Sequence, residues 1–268
     1  MPACFSARQS VANSLDTPPQ PENLHAGGRP LIVLPTYNEK ANLPELVGEI
    51  LRTLPHASVL IVDDGSPDGT GEWASQEAQK ETRLHVLQRG SKQGLGSAYR
   101  AGWNWGLSAG HDPIVTMDAD GSHHPRHLPA LLSLVQDGRT GLGIGSRYIP
   151  GGGIRNWPFH RRLLSKVANS LSRFILQLPA HDATAGFRAY RAQVLENLGP
   201  DSVQAEGYSF LEESLWRIHK AGFRVAETPI LFEERRQGNS KINRTEILKA
   251  AVTLLRLRFT PTPTSQKL

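Results

Sequence analysis

Apolar and polar positions follow two different periods along this chain. From Leu31 onward, short runs of consecutive apolar residues, "LIVL", "SVLIVD", "LHVLQ" and "PIVTMD", alternate with longer stretches, "NLPELVGEILRTL", "GEWASQEAQK" and "SAYRAGWNWGLSAG". The short runs predict strands buried on both faces, and the longer stretches predict amphipathic helices, so residues 31–118 read as βαβαβαβ. Continuously apolar strands separated by helices imply an α/β fold with a mainly parallel central sheet flanked by helices. Ligands of such folds bind at the carboxyl ends of the strands.

Beyond "GLGIGSRY" comes a glycine-rich loop, "IPGGGIRNWP", and then a helix, "HRRLLSKVANSLSRFILQL". Its heptad-like spacing marks Leu163, Val167, Leu171 and Phe174 as a buried stripe, with Arg161 and Ser165 roughly opposite. The remainder gives "GFRAY", a helix "SFLEESLWRIHKAG", a strand "FRVAETPILFEE", a charged loop "RRQGNSK" and a final helix from about Thr245 to Phe259. That last helix mixes Ile247, Leu248, Val252, Leu254 and Leu255 with Lys249, Arg256 and Arg258. Packing on the sheet and lying on a membrane surface would both produce this pattern. Residues 1–29 mix Pro, Ser, Asn and Gly without period and read as a flexible tail, residues 30–259 as one domain, and residues 260–268 as a second flexible tail.

Composition narrows the classes. With 268 residues, 38% hydrophobic and 21% charged, the chain has the makeup of a globular protein with room for one large core. The single cysteine, Cys4, lies in the tail, which excludes an intrachain disulfide and a Cys-rich zinc site and fits a reducing compartment. No secretory h-region and no run of about 18 apolar residues is present, so a cytoplasmic location is expected. A net charge of +5 calls for an anionic partner. The chain shows neither repeats nor a helix-turn-helix or RNP-like signature, and nucleic acid is not the expected one.

Three polar signatures stand at strand ends: "PTYNE" after the first, "DDGSPDGT" at the second and "DADGSHH" at the fourth. The last admits a zinc site, a phosphatase nucleophile or a divalent cation bridging nucleotide phosphates. Zinc would need His123 and His124 to converge, and sequence neighbours seldom do. A haloacid-dehalogenase-type phosphatase normally opens its core with this motif, whereas here two polar strand ends precede it. The cation reading gains support from Asp63 and Asp64, further carboxylates at the same edge. The glycines of "GLGSAYRAG" and "GLGIGSR" do not form the dinucleotide fingerprint after the first strand.

Taken together, "LPTYNE", "VDDGSPDGT" and "MDADGSHHP" resemble the family 2 glycosyltransferases, nucleotide-sugar enzymes with a glycosyltransferase-A fold. With "GLGSAYRAG", "GSRYIPGGG", "NWPFHRRLLSKVAN", "DATAGFRAY", "GYSFLEE" and "RRQGNSK", the resemblance extends over about Leu31 to Phe259 and is to the dolichol-phosphate or polyprenol-phosphate mannosyltransferases. It implies inverting, divalent-metal-dependent transfer of mannose from GDP-mannose to a polyprenyl phosphate, giving a β-linked product. Other sugars, glucose or an N-acetylhexosamine, and a non-catalytic nucleotide-sugar-binding module are the competing implications.

Residue by residue, the resemblance assigns Pro35, Tyr37, Glu39, Val62 and Asp64 to the guanine nucleoside. It assigns Asp118, Ala119 and Asp120 to the diphosphate, with Asp118 and Asp120 holding Mg²⁺ or Mn²⁺. Arg235 and Lys241 belong to a cationic loop over the donor, and Arg147, Arg161 and Ser165 to the acceptor phosphate. Asp118, Asp120, Arg147 and Lys241 are the candidate catalytic groups. Ser122 follows Gly121 where the family commonly has Leu, a departure that bears on a third metal ligand. Asp182, Glu212 and Glu213 are candidates either for sugar hydroxyls or for buried ion pairs. A chain of this kind without a spanning segment would act peripherally at the cytoplasmic face of a membrane, by surface attachment or through a membrane-protein partner.

Overall fold

A strand that is apolar on both faces must be covered on both, and the chain meets this by pairing such strands side by side and laying helices over each face. The computed structural model of the protein describes residues 28–207, 209–233 and 244–260. The first half runs β1 (Leu31–Thr36), α1 (Leu43–Thr53), β2 (Ser58–Asp63), α2 (Thr70–Ala78), β3 (Leu84–Gln88), α3 (Leu95–Ser108) and β4 (Ile114–Thr116). The second runs α4 (Leu128–Gln136), β5 (Thr140–Ser146), β6 (Gly153–Ile154), α5 (Phe159–Leu176), β7 (Arg188–Tyr190), α6 (Ala192–Leu198), α7 (Ser209–Lys220), β8 (Arg224–Pro229), β9 (Leu231–Phe232) and α8 (Arg244–Phe259).

The main sheet has the order β3-β2-β1-β4-β7-β5-β8. It is parallel as expected except at β7, which runs antiparallel to both β4 and β5. Alternation along β1 divides the core: Leu31 and Val33 face one layer with Trp103 and Phe210, while Ile32 and Leu34 face the other with Val47 and Leu131. Strand order reverses between β1 and β4, the kind of switch point where α/β sheets bind ligands.

The glycines in "GLGSAYRAG" and beyond bring α3 close to the sheet. A Cβ at Gly102 would sit 2.4 Å from Val33 Cγ1, and one at Gly106 would sit 2.7 Å from Leu31 Cδ2. Two helices, α4 and α6, were not expected from the pattern. The expected strand "FRVAETPILFEE" is divided: β8 closes the main sheet, and after Ile230 the chain leaves it so that β9 pairs with β6.

The expectation for the long helix is reversed. Leu163, Val167, Leu171 and Phe174 are 52%, 55%, 52% and 84% exposed, and the buried positions of α5 are Asn169, Ser172 and Leu176. The inward side is polar because its partners are polar: Asn169 bonds the His181 carbonyl and the Ala183 amide, and Ser172 donates to Glu212. A helical period shows which face is apolar, not which face the tertiary structure turns inward.

The final helix is split in the same way. Leu254 and Leu257 are buried, whereas Val252, Leu255 and Phe259 are exposed. Arg256 is not a free surface cation, because it donates to Glu213 at 3.0 Å and ties α8 to α7.

One titration is legible in the packing. His85 lies 4.9 Å from the Trp105 ring, and burial, aided by nearby His111 and Arg29, lowers its pKa from 6.5 to about 4. A group whose folded-state value is depressed stabilises the fold above the unfolded value and loses that contribution as pH falls toward the folded one. Urea midpoints are therefore expected to drop between about pH 6.5 and about pH 4. His85→Phe, which keeps a ring against Trp105, is expected to flatten that drop; parallel pH profiles for variant and wild type would contradict it.

Candidate active site

Adjacent parallel strands end on one edge, so the loops after β2, β1 and β4 meet there. Thr36 pairs with Asp63, and the Met117 amide donates to Val33 O. At the β1–β2 end, Asp63 accepts Thr36 Oγ1 at 2.9 Å and Ser66 Oγ at 2.6 Å. Asp68 joins the two loops by accepting the Lys40 amide at 3.2 Å and both donors of Thr70, one of them at 2.5 Å.

The residues assigned to the nucleoside fall into two groups. Tyr37 lies at this edge with Lys92 Nζ 4.0 Å from its ring centroid, and Glu39 accepts Asn42 Nδ2 at 2.8 Å. Pro35 is half-buried on β1 opposite Val62. Val62 itself is fully buried in the core, so only its backbone faces the edge. Asp64 is 5% exposed and its oxygens are taken up internally. One accepts Arg89 Nε and Nη2, and the other accepts the Gln93 and Gly94 amides at 3.0 and 3.2 Å. Its direct effect is to hold the turn that enters α3.

Past β4 the acids are arranged differently. Asp118 has 29% of its side chain exposed and accepts the buried Tyr99 phenol on Oδ1 at 2.9 Å. Asp120 is buried and accepts the Ser122 amide at 3.0 Å, and Ala119 between them is buried. Burial, then the charge on Asp118 and more weakly Asp120, pushes the Tyr99 pKa well above its ordinary value. Both negative charges are thus felt at one buried phenol. Ser122 Oγ is buried and has no hydrogen-bond partner among the described residues.

The two histidines serve different neighbours. The Asp118 amide donates to His123 Nδ1 at 3.2 Å, which places the ring proton on Nε2. Burial, the largest influence, lowers the His123 pKa although Asp118 and Asp120 pull it upward. With Nδ1 accepting, the 3.9 Å approach of Asp118 Oδ2 is not an ion pair. His124 instead accepts the Arg126 amide at 3.2 Å in the following turn.

Two carboxylates with oxygen-only donors suit a hard divalent cation that completes its shell with water and substrate phosphates. Among the described residues no group of three His, Cys, Asp or Glu side chains forms a fuller cage. The residues present therefore fit magnesium or manganese bound together with a diphosphate.

Across β7 stands a buried cation. Arg147 Nε and Nη2 each reach Asp182 at 2.8 Å, Nη2 also reaches Thr184 Oγ1 at 2.8 Å, and the Arg147 amide adds a bond at 3.0 Å. Burial works against its charge, but Asp182 more than reverses this and holds the pKa above the ordinary arginine value, with Asp118 also contributing. Asp182 is in turn fixed by Glu227, which accepts the His181 and Asp182 amides at 2.8 and 3.0 Å.

An aromatic wall flanks this fork. Tyr148 OH shares a hydrogen bond of 2.8 Å with Ser165 Oγ, the Arg161 guanidinium lies 4.0 Å over the Trp157 ring, and Phe232 lies edge-on 5.4 Å from Trp157. Arg147 is 5.4 Å from the Phe232 ring, so the fold gathers Arg147, Arg161 and Ser165 around one wall. Tyr99, Arg89, Tyr148, Phe232 and Glu227 were missed by sequence reasoning. Only "GSRY" and "GLGSAYRAG" carried any signal for them, and that signal lay in the order of motifs.

The alternatives for the remaining acids now separate. Asp182 and Glu213 are in buried ion pairs, the latter with Arg217 and Arg256. Glu212 is in no ion pair among the described residues. It accepts Ser172 Oγ, its second oxygen is buried without a hydrogen-bond partner among them, and burial raises its pKa although Ser172 and Arg188 pull it down. Arg235 and Lys241 lie outside the described residues.

Residues 31–199 match glycosyl transferase family 2. The chain is 49% identical, over 86% of its length and 87% of the relative's, to a polyprenol monophosphomannose synthase of Mycolicibacterium smegmatis. It is 44% identical, over 85% of its length and 93% of the relative's, to an undecaprenyl-phosphate mannosyltransferase of Micrococcus luteus. Among solved structures, glucosyl-3-phosphoglycerate synthase of Mycobacterium tuberculosis with Mn²⁺, UDP-glucose and phosphoglyceric acid superposes with a TM-score of 0.64 at 20% identity, covering 93% of this chain and 89% of that one. The fold is of the glycosyltransferase-A type.

The geometry separates structural acids from acids available for chemistry. Asp182→Ala strands the buried Arg147 and is expected to cost about 3–5 kcal/mol in urea denaturation. Asp118→Asn keeps an acceptor for Tyr99 and is expected to stay within about 1 kcal/mol of wild type. Similar losses in the two variants would contradict the distinction.

Proposed function

The chain belongs to family 2 of the glycosyl transferases, and on that premise we propose that it transfers mannose from GDP-mannose to a polyprenyl phosphate, with a divalent cation and with inversion at the anomeric carbon. At the coarser level the chain is a polyprenyl-phosphate mannosyltransferase, the activity for which both curated relatives are named. The observation that carries the finer reading is the acid pair at the β1–β4 switch point on the same sheet edge as the Arg147 fork that Asp182 clamps, since β4 and β5 both run antiparallel to β7 and end together.

The donor's nucleoside takes the edge formed by Pro35, Tyr37 and Glu39, with Asp64 shaping it through Arg89 and the 93–94 turn. Asp118 and Asp120 would hold magnesium or manganese, which when bound neutralises charge on the departing diphosphate. Tyr99 and the His123-supported backbone keep Asp118 in one orientation. Arg235 and Lys241, by resemblance, add positive charge to the same diphosphate.

The acceptor needs no strong base. The second pKa of a phosphate monoester is about 6, so near neutral pH most acceptor molecules are dianions. One of their oxygens forms a bond to the anomeric carbon as the bond from that carbon to the diphosphate breaks, and GDP leaves. Attack from the face opposite the leaving group turns an α-linked donor into a β-linked product. Arg147 orients the acceptor phosphate with the edge that Asp182 does not occupy, and Arg161 and Ser165 border the same space. A guanidinium held as a fork suits phosphate oxygens better than an ammonium does.

The test uses purified protein, a panel of nucleotide sugars and a polyprenyl phosphate. Mannolipid is expected from GDP-mannose with Mg²⁺ or Mn²⁺, and none with a chelator. Asp120→Ala is expected to lower turnover at least about 100-fold while the melting transition persists. Preference for another nucleotide sugar would overturn the donor assignment. Phosphate release from simple monoesters, with a phosphoaspartate on Asp118, would replace the whole reading by a phosphatase. Donor binding without turnover under any of these conditions would make the chain a nucleotide-sugar-binding module.

A further inference from the structure

A carboxylate offers a cation two oxygens, and how many it gives depends on what else those oxygens must satisfy. Asp118 and Asp120 each have one oxygen engaged by the protein itself. Asp118 Oδ1 accepts the Tyr99 phenol at 2.9 Å, and Asp120 Oδ1 accepts the Ser122 amide at 3.0 Å. The first bond differs from the second because its donor is part of the core. Tyr99 is fully buried on α3, and its ring stacks on Phe210 of α7 at a centroid distance of 5.9 Å. The backbone before β7 closes the same side. A Cβ on Gly186 would lie 3.4 Å from Asp118 Oδ1 and 3.5 Å from the Tyr99 hydroxyl. Gly186 is held in turn, because its carbonyl accepts Thr116 Oγ1 at 2.7 Å. Oδ1 is thus turned toward buried groups, whereas the nearest basic neighbour of Oδ2 is the accepting Nδ1 of His123 at 3.9 Å.

Cations differ in what they ask of such a pair. Calcium takes roughly six to eight oxygens in flexible geometry and often draws both from one carboxylate. Magnesium keeps octahedral coordination, using one or two carboxylates with water and substrate phosphates, and manganese also favours an octahedral oxygen shell. We propose that Tyr99 is a positioning residue for the cation: by holding Asp118 Oδ1 it confines Asp118 to a single-oxygen contact, and the site therefore selects magnesium or manganese over calcium.

This rests on the divalent-cation reading above and adds to it a choice among cations, made by a side chain that acts only through Asp118. Groups that hydrogen-bond a metal ligand fix its orientation and basicity, and their removal commonly changes metal affinity by about 10–100-fold. Without the phenol, Asp118 is able to turn or to offer both oxygens, which suits calcium and loosens the fit for the smaller ions.

The experiment uses the full chain with GDP. Mn²⁺ binding is read from the loss of the free-ion electron paramagnetic resonance signal, and Ca²⁺ and Mg²⁺ binding from displacement of Mn²⁺. Wild type is expected to hold Mn²⁺ at least about 10-fold more tightly than Ca²⁺. Tyr99→Phe keeps the ring on Phe210 and removes only the donor, and is expected to narrow that ratio by about 10-fold. Phe210→Leu loosens the same packing but keeps the phenol, and is expected to lower the urea midpoint while the ratio stays as in wild type. An unchanged ratio in Tyr99→Phe overturns the proposal, as does a wild type that holds Ca²⁺ as tightly as Mn²⁺. Equal narrowing in Phe210→Leu also overturns it, because packing and not the hydrogen bond would then set the choice. A wild type that binds GDP without taking up Mn²⁺ overturns the cation reading itself.

Discussion

β1 lies between β2 and β4 and runs parallel to both, and the site depends on that arrangement. Parallel neighbours must end on one edge, so three loops far apart in sequence are pressed together, each bringing carboxylates. Collecting that much negative charge is costly unless each acid finds a partner. The fold supplies partners for the acids of the first two loops: Thr36 and Ser66 for Asp63, Arg89 and two amides for Asp64, and, for the exposed Asp68, Thr70 and the Lys40 amide. The pair after β4 is held differently, with the Tyr99 phenol on Asp118 and the Ser122 amide on Asp120.

The other half of the molecule handles buried positive charge by the opposite means. Arg188 is fully buried on β7 and donates to the carbonyls of Ala183, Ala185 and Leu211. Arg147 is clamped by Asp182, and Asp182 is held through the backbone by Glu227. Buried ions tolerate few alternative geometries, because each lost bond leaves a desolvated charge. The orientation of the Arg147 fork therefore follows from residues on β8 and on the loop before β7, not from its own loop.

Its setting among Tyr148, Trp157 and Phe232 links this fork to α5. Polar atoms on the inner side of α5 are needed to cap the 181–183 loop and to meet Glu212, which displaces the apolar residues to the outside. Acceptor site and apolar surface are thus two sides of one helix, coupled by the same hydrogen bonds.

The sequence alone determined the alternation of strands and helices through β4, the strand-end positions of "PTYNE", "DDGSPDGT" and "DADGSHH", and through them the family. These are local properties: apolar runs mark strands, and motif order survives without knowledge of packing. It did not disclose α4, α6 or the division after β8, where short segments take their form from neighbours. Nor could it tell that Asp64 is consumed by Arg89 while Asp118 is left with a phenol, since both follow an apolar strand and differ only in what the fold places beside them. The same limit governed α5. Its period showed an apolar stripe, but whether a stripe faces the core or the solvent depends on which surface offers better partners, and only the tertiary structure, by presenting a carboxylate and backbone groups to Asn169 and Ser172, turned the apolar side outward.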